Sequence, residues 1–301
     1  MNVAAIDLGS NSVRLLVTAP DGSALVRRAD ITRLGADLTT TGRLAPAGCA
    51  ATLDLLRRHR RTLAEHEVGA VRVVATAAAR RATDAEAFLA AAAEAVGAPV
   101  EVLTGDEEGR LSFAGATADL APADGPFLVV DIGGGSTELV VGTATVEAAV
   151  SIDLGCATLT ATELHHDPPR PEELTNAVAA AADAFTDAWI RFPALRRANR
   201  VVGVAGTITT LAAVELGLAV YDRSRVHGLV LGRAAVEDAF RTLATEALAD
   251  RVHNPGLPRD RADVIVGGLC LVVALMRNLP AAELLVSDAD LLDALAASLR
   301  A

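Results

Sequence analysis

The sequence predicts a mixed α/β fold built from two related halves, and three observations carry this reading. Phe127 to Val130 is a short apolar run suited to a central strand, and Leu139 to Val141 resumes it after a turn containing Gly133, Gly134 and Gly135. Residues Ala5 to Val17 line up without a gap on Val129 to Val141, so that Asp7 falls on Asp131, Gly9 on Gly133, Ser12 on Ser136 and Leu15 on Leu139. Two strand–Asp–Gly–turn–strand units in one chain point to an internal duplication. In the first half, strand–helix alternation follows an opening three-strand meander, as a mixed α/β domain requires.

The first half begins with strands expected at Val3–Leu8, Ser12–Thr18 and Ala24–Arg33, with Pro20-Asp-Gly22 as a tight turn. Pro46 suits the first turn of a helix running to about Glu67, with Leu53, Leu56, Arg60 and Leu63 at helical spacing. A strand at Val71–Thr76 follows, then the segment Ala77–Asp84 leading into an alanine-rich helix up to Val96, and a strand at Pro99–Leu103. Thr104 then caps a helix whose first turn carries Asp106, Glu107 and Glu108. Acidic residues there complement the helix dipole and need no catalytic role. Yet Glu107 or Glu108 is also suited to activate water beside a phosphate.

The second half carries the glycine hairpin, a third strand over Thr145–Leu154 and a short helix from Gly155-Cys-Ala157. The adjacent His165 and His166 lack metal-ligand spacing and read as surface residues. A long helix spans Glu172 to Phe192, and a strand at Arg200–Ala205 enters Gly206-Thr207, a helix start able to meet an anion. A strand at Val226–Leu231, a helix from Arg233 to about Leu248, a buried helix over Val264–Met276 with Gly267 and Gly268, a strand at Glu283–Ser287 and a terminal helix complete the chain. His227 reads as a packed histidine. The expected domains are residues 1–122 and 123–301, with the terminal helix 288–301 able to pack back on the first.

Composition narrows the chemistry. The formal charge of −11 argues against a nucleic-acid surface. All 27 basic residues are arginine, which removes a Walker-type or Schiff-base lysine. Cys49, Cys156 and Cys270 form no disulfide framework and no zinc spacing. The longest apolar run is too short to span a bilayer, and Met1 to Val17 carries Asp7 and no basic start. A soluble, cytoplasmic protein without membrane partners is expected.

At the turns, glycines without Cβ let the backbone approach a ligand, and successive N–H groups form an anion-binding concavity. Strand–Asp–Gly turns in both halves, Gly-Thr before a helix and a glycine-bearing helix together resemble the acetate kinase, sugar kinase, chaperone ATPase and actin superfamily. Within it, the chain resembles the exopolyphosphatase and guanosine pentaphosphate phosphatase family. The resemblance rests on Ala5–Leu15, Ala75–Arg80, Gly105–Leu111, Val130–Glu138, Gly203–Leu211 and Arg261-Ala-Asp263. It implies two ribonuclease H-like domains of the actin-like ATPase superfamily with an inter-domain active-site cleft.

The same resemblance implies site roles. Glu108 is the base that activates water. Ser10, Asn11, Arg80, Gly133, Gly134, Gly135 and Ser136 bind phosphate, and Asp131, Glu138 and Asp7 are metal ligands or water ligands for Mg²⁺. The implied reaction is hydrolysis of a terminal phosphoanhydride, with inorganic polyphosphate preferred to guanosine pentaphosphate because no aromatic platform for a purine is evident. A kinase-like phosphotransferase and a non-catalytic nucleotide-binding switch are the alternatives. Relatives suggest a homodimer. The chain departs from the family at Ala75-Thr-Ala-Ala78 and Asp84, and at Ser287–Asp293, which lacks a Gly-Leu-Arg run, so it resembles the short, two-domain form.

Overall fold

The computed structural model describes residues 1–279 and 283–300; Ala301, at the end of the expected terminal helix, lies outside the described residues. The chain divides into two compact units, Met1–Gly115 with Leu291–Ala301, and Ala116–Asp290.

In the first unit, β1 (Asn2–Leu8), β2 (Ser12–Thr18) and β3 (Ala24–Ile31) form an antiparallel meander. After the short α1 (Leu38–Thr41), α2 (Pro46–Glu65) leads to β4 (Val68–Ala75), which pairs parallel to β1. Then come α3 (Ala77–Arg81), α4 (Ala85–Val96), β5 (Val100–Val102) parallel to β4, and α5 (Gly105–Thr117). The sheet order is β3-β2-β1-β4-β5. β1 is central and buried along all but its first residue, which explains its unbroken apolar run. α2 turns Thr52, Leu55, Leu56, His59 and Leu63 inward at helical spacing.

The alanine-rich helix expected up to Val96 is α4, and the segment Ala77–Asp84 that leads into it holds the short α3. Thr83 donates its N–H and its hydroxyl to the Gly42 carbonyl (3.0 and 3.2 Å), and Asp84 accepts the Leu44 N–H (3.0 Å). Tertiary partners therefore take the polar groups that a continuous helix would use, and the alanines on either side cannot override them.

The second unit repeats the plan. β6 (Phe127–Ile132), β7 (Thr137–Gly142) and β8 (Val146–Ile152) form the meander. Helices α6 (Cys156–Glu163) and α7 (Pro171–Arg191) precede β9 (Arg200–Val204), parallel to β6. The chain continues through α8 (Ala205–Glu215), α9 (Arg223–Val226), β10 (Val230–Gly232), α10 (Arg233–Thr245), α11 (Leu248–Arg251), α12 (Ile265–Asn278) and β11 (Glu283–Val286). The sheet order, β10-β11-β9-β6-β7-β8, is that of the first unit read in reverse with β10 added at one edge. Both are the ribonuclease H-like arrangement.

α12 is buried from Ile265 through Met276, as an all-round apolar helix should be. A Cβ on Gly267 would meet the Thr160 hydroxyl at 2.3 Å, and one on Gly268 would meet Thr207 at 2.6 Å, so these glycines set the spacing to α6 and α8. The strand expected over Val226–Leu231 is shorter. Asp222 accepts the Ser224 N–H and caps α9, and Gly228 at φ +84° turns the chain before pairing begins at Val230.

The final helix, α13 (Leu291–Ser298), belongs to the first unit. Its Leu291, Leu292, Leu295 and Ala296 share a core with Ala5, Leu16, Val74 and Leu103. Asp293 pairs with Arg27, and Arg300 donates to the Thr18 hydroxyl (2.7 Å). No described helix is long and apolar enough to cross a membrane.

Candidate active site

The functional side chains expected in the first unit collect at the carboxyl ends of its parallel strands. That edge is where ligands bind open α/β sheets. The turn Gly9-Ser10-Asn11-Ser12 follows β1 and is closed by the Gly9 N–H donating to the Ser12 carbonyl (3.0 Å). The Ser10 carbonyl accepts the Gly35 N–H (2.8 Å), and the Asn11 carbonyl accepts the N–H groups of Thr32 and Arg33 (3.0 Å each). A trans peptide points its N–H opposite its C=O, so tying these carbonyls back aims the Asn11 and Ser12 N–H groups the other way. Ser10 and Asn11 are 9% and 7% exposed. The Ser10 hydroxyl and the Asn11 amide nitrogen are buried without a hydrogen-bond partner among the described residues. Buried polar groups normally find one.

Arg80 on α3 and Glu108 on α5 meet at the same edge. Arg80 Nη1 donates to Glu108 Oε2 (2.5 Å) and to the Leu103 carbonyl (3.0 Å). Its neighbour Glu107 does something else. Glu107 Oε2 accepts the N–H and hydroxyl of Thr104 (2.8 Å each), and the Thr104 hydroxyl accepts the Glu107 N–H (3.2 Å). This is a capping box, and the Thr104 backbone bond holds the exposed Glu107 carboxyl below its usual range. Glu108 is 9% exposed and takes no part in the cap. Asp7 is bound within its own hairpin: Arg14 donates Nε (2.9 Å) and Nη2 (2.8 Å) to its Oδ2.

In the second unit the corresponding turn follows β6. Gly133 N–H donates to the Ser136 carbonyl (3.0 Å), the same closure as Gly9 to Ser12. The Gly133 carbonyl accepts Cys156 N–H (2.9 Å), and the Gly134 carbonyl accepts the N–H groups of Ala157 and Thr158 (2.9 and 3.2 Å). The start of α6 therefore anchors the glycine turn and directs the Gly134 and Gly135 N–H groups away from the helix. Gly155 makes the anchor possible, because a Cβ there would lie 2.6 Å from the Gly133 oxygen.

Asp131 and Glu138 are directly opposed in the β6–β7 ladder and are 6% and 1% exposed. Directly opposed residues share a face with Cβ atoms about 5 Å apart. Ser151 Oγ donates to Glu138 Oε1 (2.6 Å). This all-oxygen donor set fits Mg²⁺, which typically takes one or two carboxylates plus substrate phosphate oxygens. Among the described residues, no three His, Cys, Asp or Glu side chains cluster as a full protein cage would.

At the start of α8, Ala205 has φ +70°, a left-handed conformation that costs a non-glycine residue about 1–2 kcal/mol. The Arg261 guanidinium fills the space a Gly206 side chain would need. Elsewhere, His166 bonds Glu173 (2.7 Å), a contact that pulls the Glu173 carboxyl down to about 2, and His227 Nδ1 accepts the Asp288 N–H (3.1 Å). The reading from residue types missed Gly155, Arg14 and Ser151. Arg14 and Ser151 depend on cross-strand register and Gly155 on a distant backbone contact; the aligned hairpins were the one signal available for Arg14.

Two units of ribonuclease H-like topology, each ending its first strand in an Asp–Gly turn with anchored carbonyls, are the frame of the actin-like ATPase superfamily. Residues 17–295 match the Ppx/GppA phosphatase family. The chain belongs to that family. It is 39% identical to "Exopolyphosphatase 2" of Mycobacterium tuberculosis over 99% of this chain and 98% of that one. Among solved structures it is similar to an exopolyphosphatase-like protein (31% identity, TM-score 0.94, 100% and 99% of the two chains covered). A Ppx/GppA family member from Aquifex aeolicus is also similar (34% identity, TM-score 0.81, 99% and 97% covered).

Proposed function

We propose that the protein is a Mg²⁺-dependent exopolyphosphatase of the cytoplasm that hydrolyses the terminal phosphoanhydride of inorganic polyphosphate and releases orthophosphate. The observation that carries this reading is the pair of buried donors at the first turn, Ser10 Oγ and Asn11 Nδ2, without partners among the described residues, in a turn whose backbone N–H groups point away from its anchors. Phosphate oxygens would satisfy these groups. The likeness to exopolyphosphatase 2 supports the substrate.

In this reading Ser10, Asn11 and Arg80 are the phosphate-binding groups of the first unit, and the Gly134 and Gly135 N–H groups with Ser136 are those of the second. Arg80 uses Nη1 for Glu108 and Leu103, and its other N–H groups serve the phosphate. Asp131 and Glu138 would hold the cation, which would supply charge neutralisation when bound. Glu108 accepts a proton from the attacking water while Arg80 keeps its carboxylate oriented. Phosphoryl transfer asks mainly for such positioning and charge stabilisation.

Phosphate release from polyphosphate, guanosine pentaphosphate and ATP, each with Mg²⁺, tests the reading. Release of orthophosphate from polyphosphate without any acceptor supports it. Turnover confined to guanosine pentaphosphate, or transfer to an acceptor, would replace it.

A further inference from the structure

The gapless alignment that pairs Asp7 with Asp131 also pairs Arg14 with Glu138. The ladders agree with it. Asp7 is directly opposed to Arg14 across β1–β2, as Asp131 is to Glu138 across β6–β7. The two turns are closed by the same Gly N–H to Ser carbonyl bond at the same 3.0 Å. At one structural position, then, the first hairpin carries a cationic side chain and the second a carboxylate.

We propose that the duplicated hairpins have divided the electrostatic work: the second binds a divalent cation, and Arg14 is the first hairpin's built-in substitute for one. The inference rests on the reading of Asp131 and Glu138 as cation ligands. Asp7 is 4% exposed, and Arg14 Nε and Nη2 donate to its Oδ2 at 2.9 and 2.8 Å. A guanidinium so placed claims the oxygen's lone pairs, and its positive charge repels a second cation from the same carboxylate. Mg²⁺ also demands oxygen ligands at about 2.0–2.1 Å in near-octahedral geometry, and Oδ2 is already committed to arginine. Asp7, expected from the sequence as a metal or water ligand, is instead a positioning residue. It holds Arg14 on the strand that leaves the Ser10–Asn11 turn, so that the buried carboxylate is charge-balanced whether or not metal is present. Arginine suits this task because its charge is not lost at any working pH.

The proposal predicts one cation per chain. The test is direct Mn²⁺ binding to the full chain, read from the electron paramagnetic resonance signal of free Mn²⁺ without substrate. Wild type and Asp7→Asn should each bind one equivalent with affinities within about threefold, whereas Asp131→Asn and Glu138→Gln should weaken binding at least tenfold. Arg14→Glu, which copies the second hairpin's Asp–Glu pair into the first, should raise the stoichiometry from one to two. If Arg14→Glu fails to fold by circular dichroism, the Asp7→Asn and Asp131→Asn comparison decides alone. Two equivalents in wild type, or loss of binding in Asp7→Asn equal to that in Asp131→Asn, would overturn the division. No binding by wild type would remove the cation reading of Asp131 and Glu138, and this inference with it.

Discussion

Glu107 and Glu108 are adjacent carboxylates with separate work. Glu107 closes a capping box with Thr104, while Glu108 is buried against Arg80. Removing a positioned general base lowers rates by roughly 10²–10⁴-fold. Steady-state kinetics on polyphosphate should therefore show Glu108→Gln losing that much kcat with little change in KM. Glu107→Ala should keep its kcat and lower only the thermal midpoint. Sequence pattern alone left the two carboxylates open, because both sit in the first turn of one helix; the family resemblance selected Glu108.

His59 makes a second prediction at this scale. It is fully buried on α2, neither ring nitrogen has a partner among the described residues, and burial pushes its pKa down from 6.5 to about 4. Below pH 6.5 the unfolded chain takes up a proton that the folded chain refuses until about pH 4. Stability is thus full above pH 6.5, falls as the pH drops through that window and levels off beneath it. At 1.36 kcal/mol per pKa unit the loss is about 3 kcal/mol. Urea midpoints measured at pH 7 and pH 5 should converge for His59→Leu and diverge for wild type. An equal fall in both would place the acid sensitivity elsewhere.

At the scale of elements, the glycine turn depends on the start of α6. Gly155 has ordinary extended dihedrals, so its need for glycine is one of space alone: a Cβ would lie 2.6 Å from the Gly133 oxygen and from Gly134. Gly155→Ala must push the turn off its anchor. Overpacking of this kind costs about 1–3 kcal/mol, and calorimetry should show the loss together with a raised KM for polyphosphate. An unchanged KM would mean that the turn does not hold substrate. The strands and glycine turns were legible in the sequence because central strands read as apolar runs and tight turns as glycine. The short α3 ahead of the alanine-rich helix was not, since its end is set by the bonds of Thr83 and Asp84 to Gly42 and Leu44 about forty residues away in sequence, and the short β10 followed from one left-handed glycine.

At the scale of the whole molecule, the chain ends by returning to the unit where it began. Leu291, Leu292, Leu295 and Ala296 complete a core with Ala5, Leu16, Val74 and Leu103, beneath the strands that carry the first turn. A fully buried leucine contributes about 1.5–3 kcal/mol. Truncation after Asp290 should therefore destabilise the first unit by several kcal/mol. Limited proteolysis should cut residues 1–115 before the Ala116–Asp290 unit; the opposite order would contradict the assignment of α13. The duplication was legible because a gapless match of thirteen residues preserved Asp, Gly and Ser at the turn. What that match could not convey was the charge difference at Arg14 and Glu138, which acquires meaning only once the ladder register sets each opposite an aspartate.

In the proposed reaction, Glu108 directs water at the end of a polyphosphate chain. Its most direct measurement is orthophosphate release from polyphosphate with Mg²⁺, wild type beside Glu108→Gln, with the length of the remaining polymer followed on gels. The account predicts steady release from wild type, gradual shortening of the polymer from its ends, and loss of at least a hundredfold in the variant. Release at the wild-type rate by Glu108→Gln, or cleavage into internal fragments, would contradict it.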